Sequence, residues 1–200
     1  MNSHILTIAS STGGPEALRA LLSQFGENIP PILIVQHMPV GFTKMLANGL
    51  NKVVPFEVKE ACHGDEILPG RVLIAPAGYH MEVAQAFPFN IVILHKADPQ
   101  HGVRPAADYL FNSVAKHYGK KAIGVILTGM GKDGAKGLEI MKRNGSFNIA
   151  QDEATSIVYG MPKAAVDLGA IDVILPLNKI AQKLKTLRIW PERKDALVLG

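Results

Sequence analysis

Short apolar runs alternate along the chain with segments whose apolar residues recur every three or four positions. Residues 5–9 read as a buried strand. Behind it Pro15 stands where a first helical turn begins, and Leu18, Leu21, Leu22 and Phe25 follow at helical spacing. Residues 32–35 predict a second strand, and Phe42, Met45, Leu46 and Leu50 mark the stripe of a second helix. Val54, Phe56 and Val58 alternate with Pro55, Glu57 and Lys59, the pattern of a half-exposed or edge strand. Residues 72–75 form another short strand. Residues 81–85 and 90–94 flank Pro88 and predict an antiparallel hairpin inserted in the middle.

The alternation then resumes. Ala107, Leu110, Phe111, Val114 and Tyr118 predict a helix stopped by Gly119. A strand follows at 123–127, then a helix through Leu138 and Met141 that stops near Asn144-Gly145. Residues 147–150 predict a strand, 162–168 a short helix ended by Gly169, and 173–175 a last strand. Asn178 has the chemistry of an N-cap for a final helix carrying Ile180, Leu184 and Leu187. Residues 188–200 have no period and contain Pro191, so they read as a loosely attached tail behind one domain at 1–187. Strand–helix alternation at this spacing builds βαβ units. The expected fold is α/β: a single doubly wound, mostly parallel sheet flanked by helices, with an inserted antiparallel hairpin.

Composition narrows the class of molecule. Two hundred residues, 48 % of them hydrophobic, suffice for one sizeable core. The formal charge of +4 is mild and its basic residues are scattered, which argues against nucleic-acid binding. The sequence holds no apolar stretch long enough to span a bilayer, so no membrane insertion is expected. The start lacks a signal-peptide pattern and the single cysteine, Cys62, cannot form an internal disulfide, so the expected location is cytoplasmic. No metal site is expected, because the seven histidines include no His-x-x-x-His pair and Cys62-His63 has no companion ligands.

In sheets of this kind ligands sit beyond the carboxyl ends of the strands, where the winding reverses. Three segments with reactive side chains come directly after strands: Ser10-Ser11-Thr12-Gly13-Gly14, Gln36-His37-Met38-Pro39, and Thr128-Gly129-Met130-Gly131-Lys132-Asp133-Gly134. A hydroxyl, an imidazole and a carboxylate on one rim suit a Ser–His–Asp hydrolase. The first segment adds glycines and a helix N-terminus, both suited to an oxyanion. Each residue alone also has a plain structural reading: Ser11, Thr12 or Asp133 as an N-cap, His37 as a hydrogen-bonded strand-end histidine. The third segment also spells G-x-G-x-x-G, with Asp152 and Glu153 placed like a ribose-binding acid, so a dinucleotide-binding protein is a rival. Against that rival, only two further strands come after the motif, and Lys132 and Asp133 stand where a helix should pack closely. There is no Walker A loop and no G-x-S-x-G elbow, and the order Ser, His, Asp is not that of α/β-hydrolases.

In this order the segments resemble the catalytic domain of the protein-glutamate methylesterases of bacterial chemotaxis. The resemblance also takes in Ile74-Ala75-Pro76 with His80, Arg104-Pro105, Ala150-Gln151-Asp152-Glu153-Ala154-Thr155 and Tyr159-Gly160-Met161-Pro162, and spans about residues 5–185. It implies hydrolysis of glutamate γ-methyl esters on chemoreceptor helices, often with deamidation of receptor glutamines, and no cofactor. It implies Ser11 as nucleophile, His37 as base and acid, and Asp133 as orienting carboxylate. Thr12 and the Met130 N–H are implied beside the oxyanion, with Gly13, Gly14 and Arg104 as substrate-loop candidates. Two departures stand out. Family members commonly carry Gly-Ala before the serine, where this chain has Ala9-Ser10. The usual receiver domain is expected to be absent, because the first catalytic strand begins at residue 5; the chain is then an excised domain or a stand-alone member. A methylesterase-like domain used only for binding is the non-enzyme alternative.

Overall fold

The structure is a computed structural model that describes residues 4–187; the expected tail at 188–200 lies outside them. Strands β1 (Ile5–Ser10), β2 (Ile32–Gln36), β3 (Glu57–Glu60), β4 (Arg71–Ile74), β7 (Ala122–Ile126), β8 (Phe147–Gln151) and β9 (Val173–Leu175) form one sheet. Its order is β3-β4-β2-β1-β7-β8-β9, and every pairing in it is parallel. β5 (His80–Ala84) and β6 (Ile91–His95) make the separate antiparallel hairpin. The predicted edge strand is β3, at one end of the sheet.

Helices α1 (Gly14–Leu22), α2 (Phe42–Asn51), α3 (Ala107–Tyr118), α4 (Ala135–Arg143), α5 (Met161–Asp167) and α6 (Leu177–Thr186) cover the two faces. Successive side chains of a strand point to opposite faces. Along β1, Leu6 and Ile8 join the core under α1, α2 and α6, while Ile5 and Ala9 join the core under α3, α4, α5 and the hairpin. Each fully buried leucine or isoleucine in these layers contributes about 1.5–3 kcal/mol. The sheet winds outward from β1 in both directions, so the reversal lies between β1 and β7. No helix is long and apolar enough to cross a membrane among the described residues.

Two local expectations are corrected. The stripe of α2 is not Phe42 and Met45, which are 51 % and 66 % exposed; Thr43, Ala47 and Leu50 are buried instead. Thr43 sets that rotation, because its hydroxyl donates to Glu60 and accepts the Ala77 N–H. Asn178 is not an N-cap, since α6 already begins at Leu177 behind Pro176. The Leu177 N–H is taken by the Thr155 hydroxyl, 3.0 Å away, so the cap comes from another segment.

Candidate active site

Ser11 and His37 are the first residues beyond adjacent parallel strands. Ser10 is in register with Gln36, and the ladder continues one bond further through the His37 N–H to the Ser10 carbonyl, 3.0 Å. Neighbouring strands run roughly 5 Å apart, which puts the two residues side by side on the rim. Gln36 joins them: its buried amide group donates to both the Ser11 and His37 carbonyls, each at 2.9 Å. Its oxygen accepts the Ser10 hydroxyl at 2.6 Å. Ser10 therefore faces inward, while Ser11 is half-buried and its hydroxyl makes no hydrogen bond among the described residues. A side chain at Gly14 would strike the Gln36 amide, so only glycine fits there.

Asp133 lies past β7, across the winding reversal from Ser11. Its Oδ2 accepts from His37 Nε2 at 2.7 Å. A carboxylate only accepts, so Nε2 donates to it, and in the neutral imidazole Nδ1 is the nitrogen with the free lone pair. This is the reverse of the ring orientation in the serine-protease template, where Nδ1 faces the aspartate. Asp133 also takes the Ala107 N–H on Oδ2 (2.6 Å) and the Asp108 N–H on Oδ1 (3.2 Å). Asp133 thus caps α3. It is not the N-cap of α4, a place taken by Gly134. In return Asp108, in the first turn of α3, accepts the Gly137 N–H of α4 at 2.7 Å. Each helix has its orphan N–H groups met by an acid from the other's start.

Neither Ser11 nor Thr12 caps α1, whose N-cap is Gly13 in a left-handed conformation (φ 76°). Thr12 is exposed, and its carbonyl accepts the Thr128 hydroxyl at 3.0 Å. The side chain of Met130 is 75 % exposed. Among the described residues the backbone N–H groups of Thr12, Gly13 and Met130 have no hydrogen-bond partner. Gly129 allows the β7 loop to approach the Ser11 loop: a Cβ there would lie 2.8 Å from Ser11 Cβ. Unpaired N–H groups around a serine hydroxyl are what an oxyanion requires.

Arg104 sits on the wall of a cavity of about 370 Å³ that opens beside His37. Beneath it His80, fully buried on β5, accepts the Ala106 N–H on Nδ1 and donates from Nε2 to the Asp98 carbonyl, both at 3.1 Å. Burial holds the His80 pKa below the usual histidine value, against the opposing pull of that carbonyl. His101, Asp108 and Asp133 bring ligand atoms within 4.8 Å of one another. Both carboxylates already accept backbone N–H groups, and each pairs with an imidazole. They are satisfied without a cation.

Ser11, His37 and Asp133 therefore share one rim, with Thr12, Gly13 and Gly14 directly after the serine, Met130 next to the Gly129 that approaches it, and Arg104 lining the cavity beside His37. Sequence reasoning placed Gln36 and Thr128 inside motifs without their bonds, and it missed Asp108 and His101. The signal available for Gln36 was a polar residue ending an apolar strand; nothing marks Asp108, whose partner is 29 positions away.

Comparison with known proteins identifies the family and the fold. A family model described as CheB methylesterase matches residues 6–184. A protein-glutamate methylesterase/protein-glutamine glutaminase of Bdellovibrio bacteriovorus is 59 % identical over 180 residues, covering 90 % of this chain and 51 % of that protein. The protein of that name from Salmonella typhimurium is 43 % identical over 180 residues, covering 90 % and 52 %. The chain thus spans about half the length of the curated relatives it matches. The crystal structure of the Thermotoga maritima CheB methylesterase catalytic domain superposes with a TM-score of 0.91 at 43 % identity, covering 94 % of this chain and all of that one. With this family match the G-x-G-x-x-G spelling at 129–134 is a coincidence: the chain belongs to the CheB methylesterase family.

Proposed function

We propose that this chain hydrolyses glutamate γ-methyl esters on chemoreceptor proteins, and glutamine γ-amides in the same way, with Ser11 as nucleophile, His37 as general base and Asp133 as its orienting partner. One observation carries the reading: His37 Nε2 lies 2.7 Å from Asp133, so in the neutral imidazole Nδ1 is the nitrogen left to serve as base, on a residue whose backbone pairs with the strand that ends at Ser10. Ser11 Oγ attacks the γ-carbonyl carbon while His37 Nδ1 takes the hydroxyl proton. The carbonyl oxygen gains the negative charge and is met by N–H groups of the Thr12-Gly13 turn and of Met130. The intermediate collapses as His37 returns the proton to the leaving methoxide or amide nitrogen, releasing methanol or ammonia. Water, activated by His37, then frees the glutamate and restores Ser11. Every step uses groups of this chain.

The test is mass spectrometry of a methylated receptor peptide incubated with the protein. The expected product has lost one methylene's mass at the modified glutamate, with methanol released, and Ser11→Ala abolishes the change. A peptide bound but unaltered, under conditions where a known methylesterase cleaves it, would show a binding module instead.

A further inference from the structure

The cavity beside His37 has a chemistry that the hydrolytic steps leave unused. Its walls are mostly apolar, including Met38, Pro39, Val40, Ala77, Val103 and Pro105, and among the described residues His37 and Arg104 are the only ionisable groups lining it. No carboxylate is among them. Arg104 is held in place by its Nη1, which donates to the Ala97 carbonyl at 3.0 Å and the Lys96 carbonyl at 3.4 Å. Its backbone is pinned as well, the Gly78 N–H donating to the Arg104 carbonyl at 3.0 Å. Arg104 makes no ion pair among the described residues, and its Nε is buried without a hydrogen-bond partner. Arg104 as a whole is half-buried and lines the cavity, so an anion entering from outside meets a cation that has no counter-charge.

We propose that this cavity is a carboxylate subsite: Arg104 grips a free acidic side chain of the substrate, a short distance along the chain from the reacting γ-ester. The proposal rests on the esterase reading for the identity of the neighbouring reacting group. A guanidinium presents its donors in a planar fork that matches a carboxylate. The apolar walls accommodate the methylenes of a glutamate stem. Because Arg104 is already fixed by the Lys96 and Ala97 carbonyls, little side-chain freedom is lost on binding. The subsite makes the enzyme select acidic segments through Arg104, which takes no part in breaking the ester bond.

The experiment uses peptides with one γ-methyl glutamyl ester and one glutamate placed one, three or four positions away, each matched by a peptide with glutamine at that place. At one spacing or more, the wild-type protein should favour the glutamate peptide by about ten- to a hundredfold in kcat/KM, chiefly through KM. R104Q should bring that ratio near one, and Arg104→Lys should restore part of it. Binding of the same peptides to the Ser11→Ala protein, with and without R104Q, should give the same ratios without turnover. No Arg104-dependent preference at any spacing, in turnover or in binding, overturns the subsite. A preference retained in binding while neither ester is hydrolysed supports the subsite and sinks the esterase reading alone.

Discussion

Replacing Asp133 by asparagine keeps the shape of the side chain but removes its charge and one of its two acceptor oxygens. In the native site the carboxylate accepts from His37 Nε2, the Ala107 N–H and the Asp108 N–H. With the amide oxygen in the Oδ2 place, the first two keep an acceptor and the Asp108 N–H meets an NH₂ group instead. Leaving a buried donor unmet costs about 1–3 kcal/mol, and the remaining bonds weaken from charged to neutral. The interaction of a negative charge with the start of α3 is lost too, typically about 0.3–1 kcal/mol. The sum is about 2–4 kcal/mol, less than the roughly 5–15 kcal/mol of a typical domain, so the variant folds. Turnover should fall far more, on the order of 10⁴-fold as in the serine-protease triad, because a neutral amide no longer stabilises the imidazolium that forms when His37 takes a proton. Urea unfolding and ester turnover, measured on the same preparation, check both halves. A variant as stable as the wild type, or one within about tenfold of its turnover, refutes this account of Asp133.

Three further outcomes are expected from the same geometry. Gln36→Leu removes the donors shared by the Ser11 and His37 carbonyls, so kcat should drop about ten- to a hundredfold with KM little changed, read from ester kinetics. Ser10→Ala deprives the Gln36 oxygen of its donor and should cost about 1–2 kcal/mol by denaturant unfolding while hydrolysis persists; a dead Ser10→Ala beside an active Ser11→Ala would reverse the assignment of the nucleophile. His80 has a pKa lowered in the fold by burial, so the unfolded chain binds the proton more readily. Stability should therefore be undiminished above the ordinary histidine value of about 6.5 and fall as the pH drops below it, and His80→Gln should flatten that slope in urea titrations at several pH values.

The middle of the sheet was readable because strands such as β1, β2 and β7 are buried on both faces and appear as nearly unbroken apolar runs; none of the three has an exposed position. The rotation of α2 was not, because a threonine with two polar partners on other elements outweighs the pull of Phe42 and Met45 toward the core. The start of α6 was misplaced for a similar reason, its cap being a side chain 22 positions earlier. Strand ends alone pointed to Ser11, His37 and Asp133, since a doubly wound sheet gathers the residues just past its strands on one rim. Strand ends could not convey that the Asp133 carboxylate is oriented by α3, since that bond joins segments 26 positions apart.

The exchange of acids between the starts of α3 and α4 also bears on the chain before it is fully folded. Asp133 finds its backbone partners only when α3 has docked, and the Gly137 N–H of α4 finds Asp108 only in the same event. A nascent or partly opened molecule with its central strands paired but α3 adrift keeps the serine and the histidine and lacks an anchored acid. On the mechanism proposed above, such a species is chemically silent. On that reading hydrolysis would report on helix docking, not on sheet formation, and an immature chain would not strip esters indiscriminately while it assembles. Hydrogen exchange at the first turns of α3 and α4 should protect in concert, and loss of that protection should coincide with loss of turnover.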